Sequence, residues 1–114
     1  MLDCIFCKIS NHELPCMKVF ESDRILAFND IDPKAPVHII VIPKKHISTI
    51  NDLHESDRKL MGDLIFSAKI IAEKINVQES GFRCIFNTNN DGGQTVFHIH
   101  MHLLAGRELS WPPG

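Results

Sequence analysis

The sequence predicts an α+β domain, a largely antiparallel sheet of five strands carrying one long helix and one short helix. Two patterns support this. Apolar residues recur at helical spacing over one long stretch only, and the remainder breaks into short apolar or alternating runs separated by turn residues. Size sets the bound: 114 residues make one domain, taken as 1–114, whose core needs no disulfide staples.

The short helix comes first, from Ile5-Phe6-x-x-Ile9. Strands over 19–21 and 25–29 flank the turn-like Ser22-Asp23-Arg24, and a third over 39–42 lies between Pro36 and Pro43. The long helix spans 55–75. Leu60, Leu64, Ala68, Ile71 and Ile75 form its buried stripe, and Arg58, Lys59, Asp63, Lys69, Glu73 and Lys74 take most of the other positions. Strands over 83–88 and 97–104 enclose the polar loop 89–94.

Composition narrows the function classes. Hydrophobic residues make up 44% and charged residues 23%, with a net charge of −2, which is ordinary for a globular domain. The near-neutral balance lacks the basic footprint of a nucleic-acid binder. No apolar run reaches the roughly 18 residues of a membrane span, and the start has no secretory pattern. Four cysteines without a secretory signal read as reduced thiols, so a cytoplasmic location is expected. Cys16 and Cys84 read as small buried apolar residues. Seven histidines are the one unusual count.

Three of them alternate in Phe97-His98-Ile99-His100-Met101-His102-Leu103-Leu104. On a strand this places the imidazoles on one face and Ile99, Met101 and Leu103 on the other, with alternate residues about 6.8 Å apart. Burying three imidazoles costs desolvation that valine or threonine would avoid, so the row points to function. Such a row can ligate zinc. It can equally supply a nucleophile, because imidazole is largely neutral at pH 7 and needs no general base to attack phosphorus. Just upstream, 87–95 combines amides, hydroxyls and a Gly-Gly pair suited to phosphate oxygens. That favours phosphoryl chemistry. A zinc hydrolase with His98, His100 and His102 as ligands, a magnesium phosphohydrolase using Asp30-Ile31-Asp32, and a nucleotide-binding regulatory module are the rival readings.

The sequence resembles the histidine triad (HIT) superfamily, whose signature is His-x-His-x-His followed by two apolar residues. The resemblance also runs through Ile5-Phe6-x-Lys8-Ile9, 26–31, Ala35-Pro36-Val37-His38, 41–48, Asp91-Gly92-Gly93-Gln94-Thr95 and the tail Trp111-Pro112-Pro113-Gly114. The tail looks like the Hint branch, the purine nucleoside phosphoramidases. The resemblance implies a HIT-like fold and a homodimer that extends the sheet across subunits. It implies hydrolysis of nucleoside phosphoramidates through a nucleotidyl-histidine, releasing a nucleoside monophosphate such as AMP.

Residue by residue, His100 would be the nucleophile and His102 would bond the phosphate oxygens. The carbonyl of His98 would fix the tautomer of His100, and His38 would be the outlying fourth histidine. Asn87, Gly93 and Thr95 align with phosphate and leaving-group contacts, with threonine where the family commonly has serine. Asp30 would bind the ribose hydroxyls. Ile5, Phe6, Ile9, Leu14, Phe28 and Ile31 would form the purine slot, with Asn29 at the base edge; Leu14 and Ile5 read almost equally well as core. The chemistry would need no cofactor. The pair Cys4-x-x-Cys7 can grip a tetrahedral zinc given two more ligands; the resemblance supplies His46 and His98 for a structural zinc. The Trp111 tail is expected to reach toward a neighbouring subunit.

Overall fold

The computed structural model describes residues 3–114. Its order is α1 (Ile5–Ser10), β1 (Lys18–Glu21), β2 (Ile25–Asn29), β3 (Val37–Pro43), α2 (Arg58–Lys74), β4 (Phe82–Phe86), α3 (Asn89–Gly92) and β5 (Met101–Ala105). The strands form one sheet in the order β1-β2-β3-β5-β4, and every neighbouring pair is antiparallel. The expected α+β class and five-stranded sheet are both present. Among the described residues, no helix is long and apolar enough to cross a membrane.

The sheet is covered on both faces, which explains why β3 reads as an apolar run without alternation. Ile39 and Val41 join Met101, Leu103 and the α2 residues Leu60, Leu64 and Ile71 on one face. Ile40 and Ile42 join Phe28 and the α1 residues Phe6 and Ile9 on the other. Burying each large side chain stabilises by roughly 1.5–3 kcal/mol. The exposed pairs Lys59–Asp63 and Lys69–Glu73 add about 0.3–0.5 kcal/mol each. The buried stripe therefore docks α2, and the charges only solvate it.

Several boundaries moved for identifiable reasons. The helix expected from 55 starts at Arg58, after a single tight turn over Glu55–Asp57. There the buried carboxylate of Asp57 accepts from the His54 amide at 2.9 Å and from Lys45 Nζ at 2.7 Å. The third strand extends to Val37, which brings His38 into the sheet. The last begins only at Met101, so His98 and His100 precede the ladder; the amide of Ile99 donates instead to the carbonyl of Ile47 at 2.6 Å. Cys16 and Cys84, expected to be buried, are exposed.

β5 ends against Pro36. Gly106 has φ +94°, and a Cβ there would lie 2.8 Å from Pro36 Cβ. Both the backbone and the space exclude a side chain. Gly106→Ala is expected to destabilise by about 2 kcal/mol, lowering Tm by on the order of 10 °C in a thermal melt.

Candidate active site

Register builds the polar centre. His102 lies opposite Ile40, and His38 sits two residues before Ile40 on β3, a diagonal that long side chains span. The amide of Asp30, just past β2, donates to the carbonyl of His38 at 2.9 Å. His38 Nε2 consequently lies 2.9 Å from His102 Nδ1 and 3.3 Å from Asp30 Oδ2. The rings of His100 and His102 are 4.9 Å apart between centroids. Phe6 packs edge-on against His100 at 5.1 Å.

Backbone groups decide which nitrogen carries each proton. The amide of Lys34 donates to His38 Nδ1 at 3.0 Å, so the His38 proton sits on Nε2. That N–H faces His102 Nδ1, leaving the His102 proton on its own Nε2. His100 Nδ1 donates to the carbonyl of His98 at 2.8 Å, which leaves a bare lone pair on His100 Nε2. His98 Nε2 donates to the carbonyl of Pro43 at 2.8 Å, so its lone pair is on Nδ1. The centre presents one nucleophilic nitrogen and, beside it, one N–H donor.

Burial keeps these rings neutral. It pushes His102 down to about 4, helped by His100 and His38, and it lowers His100 and His38 as well. An unfolded chain takes up protons near pH 6.5 that the folded centre resists, His102 until about pH 4. Stability is therefore expected to fall as pH drops from 7 to 5, read as a decreasing urea midpoint. Glu21, held down to about 2 by hydrogen bonds from Lys44 and Lys18, adds its own loss only below about pH 4.5. His102→Gln should flatten the decline between pH 7 and 5.

Two cavities meet at this centre. One, of about 490 Å³, is lined by Phe6, Ile9, Phe28, Asn29, Ile31 and His100 among others. The other, of about 990 Å³, includes His38, Arg83, Phe86, Asn87 and Trp111. Asp30, Thr95 and His102 line both. The junction therefore falls at His102, a place suited to a phosphate with a flat apolar group on one side and a leaving group on the other.

A family model described as HIT domain matches residues 11–109. The chain belongs to the HIT domain family. Over 105 residues it is 48% identical to the purine nucleoside phosphoramidase of Escherichia coli strain K12, spanning 92% of this chain and 88% of that protein. An uncharacterized HIT-like protein of Synechococcus elongatus is 47% identical over 112 residues, spanning 98% of this chain and 97% of that protein. The crystal structure of a HIT family hydrolase from Legionella pneumophila Philadelphia 1 superposes with a TM-score of 0.96 at 51% identity, covering 98% of this chain and 100% of that one.

Most residues nominated from the HIT motifs lie at the two cavities, and two placements, those of Leu14 and Gly93, differ from expectation. Leu14 lines a separate hollow with His12, Pro15 and Lys18. The chain reverses at His12, φ +64°, and the amides of Glu13 and Leu14 turn back onto the carbonyl of Lys8. Gly93 lines neither cavity. Its amide donates to the carbonyl of Asn90 at 3.0 Å as it ends α3 in the left-handed conformation. Trp111 lines the larger cavity of its own chain, where the tail is held by Arg83 Nη2 donating to the carbonyl of Ser110 at 3.0 Å.

Gln94, counted from the sequence among the amides suited to phosphate oxygens, is instead buried and locks the loop: its amide group donates to the carbonyls of Ser48 and Val96, and its Oε1 accepts from the Asn89 amide. Sequence reasoning overlooked Cys16, Met17, Ile40 and Val96 along the smaller cavity.

A second cluster lies behind His100. Cys4 Sγ, Cys7 Sγ and His46 Nδ1 stand 3.3, 3.6 and 3.2 Å from His98 Nδ1, and Cys7 Sγ is 3.3 Å from His46 Nδ1. Tetrahedral zinc with sulfur at about 2.3 Å and nitrogen at about 2.0–2.1 Å spaces its ligand atoms about 3.3–3.8 Å apart. The four donors fit that geometry, and a two-sulfur, two-nitrogen set suits zinc. The bond from His98 Nε2 to Pro43 is the outer partner that orients a metal-binding imidazole. It also weighs against His98, His100 and His102 converging on one metal, since both nitrogens of His98 are directed elsewhere.

Proposed function

We propose that the protein hydrolyses purine nucleoside phosphoramidates, or related nucleotidyl conjugates, through a covalent nucleotidyl-His100. The observation that carries this reading is the bare lone pair on His100 Nε2 at the wall of the apolar cavity, with an N–H of His102 beside it. A purine would stack among Phe6, Phe28 and Ile31, with Asn29 at its edge, and the ribose hydroxyls would donate to Asp30.

His100 Nε2 attacks phosphorus as the bond from phosphorus to the leaving nitrogen breaks. His102 Nε2–H donates to the oxygen that gains charge, as an oxyanion hole does. The departing nitrogen needs a proton, and the hydroxyl of Thr95, shared by both cavities, can deliver one to an amine on the Asn87 and Trp111 side. Water then attacks phosphorus, returning a proton to the Thr95 oxygen as the bond to His100 breaks, and the nucleoside monophosphate leaves. Protein side chains carry every step.

Cys4, Cys7, His46 and His98 would hold a structural zinc. When bound, it would neutralise the two thiolates and cross-link the N-terminal segment to the sheet. Reduced thiols suit a cytoplasmic setting. The free edge of β4, with Phe82 exposed, is where a homodimer would continue the sheet.

Incubation with an adenosine phosphoramidate, quenched in base and read by intact-mass spectrometry, should give an adenylylated chain with the adduct on His100, and AMP in solution. AMP bound without adduct or turnover would reject catalysis and leave a binding module.

A further inference from the structure

We infer that the Cys4–Cys7–His46–His98 centre governs nucleotide affinity, so that metal binding and purine nucleotide binding reinforce each other. The inference rests on the proposed nucleotide site.

The coupling follows from how α1 is attached. Among the described residues, every hydrogen bond from 3–16 to the rest of the chain passes through the sulfur of Cys4 or Cys7. The remaining backbone bonds of this segment are internal, from Lys8, Asn11, His12, Glu13 and Leu14 back to 4–9. Cys4 also caps the helix, its Sγ accepting from the Cys7 amide at 3.3 Å. Apart from these thiols, the α1 side chains buried against the sheet among the described residues are Phe6 and Ile9. A six-residue helix has no stability of its own, and a segment so thinly attached opens locally at low cost.

The same helix forms part of the wall of the apolar cavity. Ile5, Phe6 and Ile9 line it, and Phe6 touches Phe28 with ring centroids 5.6 Å apart and His100 at 5.1 Å. Cys4 and Cys7 bracket Ile5 and Phe6, so the residues that would grip the metal and those that would face the base belong to one turn. A metal restricts α1 to the position that completes the purine slot; without it, the nucleotide must first select that position from a wider ensemble. Linkage then requires the converse: a bound purine must hold the metal more tightly by the same factor.

A ligand without a base supplies the control. Ribose 5-phosphate reaches Asp30, His100 and His102 but has nothing to place against Ile5 or Phe6. Kd for AMP and for ribose 5-phosphate are measured by calorimetry on the full chain, zinc-loaded and metal-free, and zinc affinity is measured by chelator competition with and without each ligand. AMP should bind at least tenfold more tightly to the zinc-loaded chain and raise zinc affinity by the same factor, whereas ribose 5-phosphate should shift either by less than twofold. Equal AMP affinity in both forms overturns the inference and leaves the proposed function standing. Equal coupling for both ligands overturns it too, because it means zinc supports the whole fold. AMP binding to neither form overturns both readings.

Discussion

His100→Ala is expected to lower kcat for an adenosine phosphoramidate by on the order of 10⁴-fold or more, the scale on which removing a nucleophile acts. The size follows from the assignment of protons. His100 Nδ1 is committed to the carbonyl of His98, and the other ring nitrogens at the phosphate position carry N–H groups. No neighbouring lone pair can substitute. His102→Ala removes a donor and leaves the nucleophile, so its loss should be about 10²–10³-fold. AMP affinity should change far less than kcat in His100→Ala, because Phe28, Ile31 and Asp30 remain along the cavity. Steady-state kinetics with direct measurement of AMP release checks both variants. A His100→Ala rate within tenfold of the native rate would remove the covalent mechanism.

The histidine row shows what periodicity can and cannot convey. Alternation correctly separates Ile99, Met101 and Leu103, which join the core against α2, from the histidines on the opposite face. It does not show that pairing with β3 begins only at Met101, because that depends on the amide of Ile99 reaching Ile47 across some fifty residues. Nor does it show that the three rings do different work. His98 turns to the cysteines, His100 offers a lone pair, and His102 offers an N–H, and these differences come from carbonyls and amides that no side-chain pattern reports.

The Cys-x-x-Cys pair was legible as a half-site, but its partners were not legible from spacing alone. His46 and His98 are far from it in sequence and were nominated only by resemblance; β3 and the approach to β5 bring them together. Leu14 and Cys16 misled for a local reason. Apolar and thiol side chains near a helix end are ordinarily buried, yet the left-handed residue at His12 reverses the chain and turns Leu14 outward. Lys34 shows the same limit from another direction: its contribution is a backbone amide, which every residue but proline has.

That amide supports the second large effect. Removing the His38 ring nitrogens in His38→Phe should lower kcat by roughly 10²–10⁴-fold, although His38 is not expected to touch the reacting phosphorus. The Lys34 amide fixes the His38 proton on Nε2, and His38 fixes the His102 proton on Nε2. With His38 gone, His102 Nδ1 loses its donor. The ring is then free to carry its proton on Nδ1, turning a lone pair toward a phosphate oxygen that already bears negative charge. His38→Gln places an amide donor near His102 Nδ1 and should recover part of the loss. Lys34→Pro removes the first N–H of the chain and leaves all three rings in place, so it separates tautomer control from packing. Long-range ¹⁵N spectra of the histidines should show Nε2–H for His38 and His102 in the native chain and a mixture in Lys34→Pro, with kcat falling in step. An unchanged tautomer in that variant, or full activity in His38→Phe, would show that the relay does not set the protonation of His102.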